Sequence, residues 1–221
     1  MSLNPKKTDW GPILILGSVW GLSEAALGMY LRQCASTVSG SLMTGGALFF
    51  LAAAWALSPR LQAMATMVLL AAGFKLFDAL LLGLPILHGA VANPIFAMAA
   101  EAAAFVLIVR LLRDDVRLKV LGKGVAGALA ALVAVNIFPL VRFATGIAAC
   151  KVPGTAIPLS LYYAPITVSL SAVTVPLGSL LGAAWSGAEA RWSPPKLARL
   201  RRLSPAFVAL GLALLAGLRL I

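Results

Sequence analysis

The chain has 221 residues, of which 61% are hydrophobic and 11% charged, and its mean hydropathy is +0.97. A soluble domain is roughly 45–50% apolar, so this composition excludes a soluble globular protein and predicts an integral membrane protein, a single bundle at this length. The formal net charge of +11 does not point to nucleic acid, because the basic residues fall between apolar runs and not along one helix face.

Seven apolar segments follow in chain order, at 11–31, 40–57, 62–86, 93–112, 122–141, 158–184 and 205–220. Each is near the ~20 residues that carry a helix across a bilayer. Uninterrupted runs exclude a β-barrel, whose strands would alternate over about ten residues. The expected fold is an all-α, polytopic bundle of six to seven transmembrane helices. It divides into an N-terminal segment 1–10, a six-helix core 11–186, a basic linker 187–204 and a seventh transmembrane or interfacial helix 205–221.

Basic residues in the loops set the orientation. With a cytoplasmic N-terminus, Lys6, Lys7, Arg60, the run from Arg110 to Lys123 and the run from Arg191 to Arg202 all fall inside, thirteen positive residues in all. Arg32, Arg142, Lys151 and Arg219 fall outside, and Lys75 lies within a span. This asymmetry predicts a multi-pass protein of a cell membrane, a bacterial inner membrane, with the N-terminus inside and the C-terminus outside. Lys6-Lys7, the apolar run and Ser23-Glu24-Ala25 also have the three parts of a signal peptide. The run continues to Leu31, however, which is span length and favours an uncleaved first helix.

The first segment places Gly17, Gly21, Glu24 and Gly28 at steps of four, three and four, on one stripe. Small residues so spaced admit a close neighbouring helix, so Glu24 is expected to look into protein. The third segment holds Lys75 and Asp78 on one face, an expected internal ion pair. Asn93-Pro94 is expected to start the fourth helix, as N-cap and first helical residue, with Glu101 two turns in.

A charge in hydrocarbon costs several kcal/mol, about 2.5–3.5 on the insertion scale, so such residues face a bundle interior or a wet cavity. At ~1.5 Å per residue, Glu24, Asp78 and Glu101 each lie about 10–12 Å from an outer helix end and Lys75 about 16 Å. A shared outward cavity is the expectation, formed by Glu24, Lys75, Asp78 and Glu101 with Asn93 and Asn136 at the same level. Together the four ionisable groups sum to minus two. Either some carboxyls are neutral there or something cationic binds. His88, Tyr162 and Tyr163 lie near the same outer ends; for each, solvation or a place in the interfacial belt is the simpler reading.

Cys34 and Cys150, the only cysteines, both fall in expected outer loops. They form either one disulfide or two thiols. No CxxC, zinc ligand set, HExxH, phosphate-binding glycine loop or pair of membrane histidines is present. That absence points away from an enzyme and from a haem or other cofactor, and leaves the identity of any metal open. The stretch 191–202 has two readings, retention at anionic headgroups or docking of a cytoplasmic partner. Pro194-Pro195 suits a linker before a short basic helix on the membrane.

A six-helix core, an inward N-terminus, a small-residue first helix and an outward polar cavity resemble the substrate-binding S components of energy-coupling factor transporters. The resemblance is one of architecture over residues 11–184. It implies capture of a vitamin or metal ion and docking through Gly17, Gly21 and Ala25 onto a transmembrane coupling subunit with two cytoplasmic ATPases. The extra C-terminal span, Glu24 beside the docking stripe and the lack of a Met-His start depart from that pattern. Small-solute or cation binding and transport is therefore the leading expectation. A second is an accessory or proton-relay subunit of a larger membrane complex, and a third a structural protein whose charges pair internally.

Overall fold

The computed structural model describes residues 10–30, 36–112 and 119–220. Its helices are α1 (Trp10–Tyr30), α2 (Ser36–Leu57), α3 (Leu61–Leu81), α4 (Gly89–Leu111), α5 (Val120–Ile137), α6 (Val141–Thr145), α7 (Leu159–Tyr162), α8 (Ala164–Glu189) and α9 (Pro194–Leu220), with a 3-10 turn at Phe138–Leu140. Seven of them are long and apolar enough to span a membrane, α5 continuing through Thr145 in that count. The protein is an all-α, multi-pass membrane bundle.

Six long helices close a ring in which each touches the next, in the order α1, α3, α4, α5, α8, α2 and back to α1; α9 lies outside the ring against α1 and α3. The side chains are distributed as lipid demands. Large aliphatic residues such as Leu69, Leu80, Leu121 and Leu180 are exposed on the perimeter, whereas Ala47, Ala53, Ala63, Ala71, Ala130 and Ala131 are buried between helices. Lipid tails compete with leucine for leucine, so helices associate through small residues that let backbones meet. At the α2–α8 contact a Cβ on Gly178 would collide with the carbonyl of Phe49, and one on Gly182 with the carbonyl of Ala53. Thr167 donates to Ser41 Oγ across the same contact at 3.1 Å.

Two expected boundaries change. Helix α4 begins at Gly89 with His88 as its N-cap, Nδ1 accepting from the Ala90 amide at 3.2 Å. Asn93 is therefore helical and Pro94 internal, and Glu101 lies three turns from the start where two were expected. Pro94, sixth in the helix, cannot donate to the Ala90 carbonyl four residues earlier, so the extra turn is made with one intrahelical bond missing. At the other end of the chain, the basic stretch 196–202 and the last apolar run form one helix from Pro194 to Leu220, with Pro205 inside it. Pro205 cannot donate to the Arg201 carbonyl four residues earlier; the Ser204 hydroxyl donates to that carbonyl instead, at 3.0 Å.

The connection from α5 to α8 folds at the end of the ring where α4 begins. Gly146, at φ 75°, ends α6 in the left-handed conformation that glycine tolerates best. A narrow hairpin follows, with the Val152 amide donating to Ile157 O at 2.9 Å and the Leu159 amide to Cys150 O at 2.8 Å.

Candidate functional site

A cavity of about 560 Å³ lies inside the ring at the end away from Arg60, Lys119 and Arg191. Helix α1 contributes Glu24 and Gly28, and α2 contributes Gly40, Met43 and Thr44. Helix α4 presents Asn93, Ala97 and Glu101 at steps of four, one face along its axis. Ala134 and Val135 of α5 with Phe138 form an apolar side, and Cys150, Ser160 and Tyr163 come from the connection over the top.

The two glutamates are buried, at 8% and 6% exposure. Both line the one cavity, and Glu24 lies within electrostatic reach of Glu101 and of Lys75. The Trp20 indole lies beside Glu24, one turn earlier, and the Thr44 hydroxyl lies beside Glu101. Asn93 Oδ1 and Ser160 Oγ are buried in the cavity wall with no hydrogen-bond partner among the described residues.

Lys75 and Asp78 sit elsewhere. They line a separate space of about 50 Å³ with Arg219, behind a wall that includes Gly28 and Ala90, which face both spaces. The Lys75 ammonium is 3.4 Å from Asp78 Oδ2, and Arg219 Nε donates to Asp78 Oδ1 at 2.6 Å. The expected ion pair is thus a three-residue cluster, completed by a residue that orientation alone had set in an outer tail. Counting Arg219 brings the formal sum of these groups from minus two to minus one. Asp78 already has two cationic partners, so the acidic pair facing the cavity is Glu24 and Glu101.

Asn136 leaves the site altogether. It is exposed on the outer surface of α5, and its amide donates to the Leu132 carbonyl one turn back at 2.7 Å. The small-residue stripe of α1 is internal as well. A Cβ on Gly17 would press on Leu70 and one on Gly21 on Phe74, while Ala25 is buried with Phe74 and Leu215. These three residues contact this chain's own α3 and α9, which occupy the face the resemblance assigned to a coupling subunit. Cys150 is exposed at the cavity, and its expected partner Cys34 lies outside the described residues.

The wall also contains residues that sequence reasoning passed over. Met43, Thr44, Ala134, Phe138 and Ser160 carry no motif; what unites them is proximity to the non-basic end of the ring. Ser160 could not be found by periodicity, because it reaches the cavity from α7, a helix of one turn. No family model, curated protein or solved structure matches the chain.

Proposed function

We propose that the protein binds a small solute in this cavity, as a capture or transport protein of the membrane, from the side opposite its basic loops. One observation carries the reading: a cavity of about 560 Å³ opens among the helix ends of a membrane bundle and holds two buried carboxyls in its wall. That volume is in the range of organic-ligand sites, roughly 300–1,000 Å³, which are mostly apolar with a few placed polar groups. Carboxyls at membrane depth mark pathways or sites. A structural role alone accounts for Asp78, which is held between Lys75 and Arg219; it leaves the space beside Glu24 and Glu101 without a purpose.

The test is thermal unfolding of the purified protein against a library of small metabolites, in the parent and in Ala97→Phe, which places a ring in the cavity. The reading expects at least one solute to stabilise the parent and to lose that effect in the filled variant. No stabilising solute, or stabilisation equal in both proteins, contradicts it.

A further inference from the structure

The cavity's chemistry narrows the solute to a class. Its charged lining consists of Glu24 and Glu101, and no lysine or arginine lines it among the described residues. His88, at its edge, has Nδ1 engaged by the Ala90 amide. Two further polar groups are buried in the wall without partners among the described residues: Asn93 Oδ1, an acceptor, and the hydroxyl of Ser160, a residue 2% exposed that can accept or donate. A carboxylate accepts and never donates, so the wall favours a ligand rich in donors and positive charge.

An inorganic ion fits poorly. No group of three His, Cys, Asp or Glu that could hold a metal exists among the described residues, and the space is far larger than one ion with its ligands. The remaining surface is apolar and aromatic, with Met43, Ala97, Val135, Phe138 and Tyr163. Aromatic faces attract organic cations as well as apolar groups. Asn93 and Glu101 share one face of α4 eight residues apart, or about 12 Å along the axis. The acidic pair is therefore at the deep end and the free amide oxygen near the mouth.

We propose that the solute is an organic cation, an amine or amidine carried on an apolar body, seated with its charged group between Glu24 and Glu101 and a second polar group toward Asn93 and Ser160. The assignment rests on the cavity being a solute site.

Matched sets of probes test it: tryptamine with tryptophol and indole-3-acetate, phenethylamine with phenylethanol and phenylacetate, and benzamidine with benzamide and benzoate. Sodium and magnesium chloride are run alone. Thermal unfolding and equilibrium binding are read for the parent, Glu24→Gln and Glu101→Gln, with folding of each variant checked by its elution profile. Cationic members are expected to bind and their neutral and acidic partners not. Each glutamine variant should raise the apparent Kd about ten- to a hundredfold, the loss of one charge-assisted hydrogen bond. Equal or better binding of the neutral or acidic members, or saturation by the inorganic ions alone, overturns the assignment. So does a library in which every stabilising solute is neutral or anionic, although the cavity then remains a solute site. If no solute of any class stabilises the parent, both readings fail.

Discussion

At the scale of single residues, five ionisable groups within one membrane bundle divide into two sets with different work. Asp78 accepts from both Lys75 and Arg219 and is 2% exposed. Removing one member of a buried ion pair leaves an uncompensated charge and costs about 3–5 kcal/mol. Asp78→Asn should accordingly lower unfolding stability by that order. Glu101→Gln, which leaves no cation stranded in the Lys75–Arg219 cluster, should stay within about 1 kcal/mol of the parent, the ordinary scale of a polar exchange. Unfolding of both variants in a denaturing detergent checks the pair, and equal losses would contradict the division. The burial of these groups was legible because charge inside an apolar run has few places to go. The partner of Asp78 was not, since Arg219 is 141 residues away in sequence and loop charge counting assigns it to the outer surface. Asn136 failed for a local reason: its amide is satisfied by its own helix, so it needs no polar company and can face outward.

At the scale of elements, helix existence followed from apolar length, but the contacts followed from where small residues fall. The stripe at Gly17, Gly21 and Ala25 was legible as a close-packing face, whereas its occupant was not. A stripe of small residues says that a helix comes near without saying whose it is, and here α3 and α9 fill the place. A very close approach lies at Gly178 and Gly182, where α8 meets the carbonyls of α2. Gly178→Ala forces those backbones apart and should cost about 1–3 kcal/mol, the usual range for overpacking. Gly46→Ala, within α2 where a Cβ meets nothing within 4 Å, should instead stabilise by about 0.5–1 kcal/mol through helix propensity. Opposite signs for the two substitutions are the expected result; two losses would mean that α2 packs differently. The start of α4 was misplaced because an asparagine–proline pair reads as a helix beginning, while the His88 cap extends the helix one turn further.

At the scale of the whole molecule, the distribution of charge along the axis organises the account. One end carries Arg60, Lys119 and the basic first turns of α9, and the other opens into the cavity beneath the Cys150 hairpin. That polarity was readable from loop composition. The cavity's volume and apolar sides were not, because they come from alanines, a methionine and a phenylalanine that look like any membrane-helix residues. The central claim is that the mouth of this cavity and the glutamate pair belong to one space. Cys150 lines that space and is exposed, so it reports the local potential directly. In a Cys34→Ser background, above neutral pH, the rates at which Cys150 reacts with a cationic and an anionic methanethiosulfonate reagent give a ratio for the parent. The same ratio is then measured in the Glu24→Gln, Glu101→Gln double variant. Charges about 10 Å away at an effective dielectric near 20 are worth between 1 and 2 kcal/mol each. The account predicts that the cation-to-anion ratio falls about tenfold or more when both carboxylates are removed. An unchanged ratio would contradict it, since the acidic pair would then lie outside the space that Cys150 opens onto.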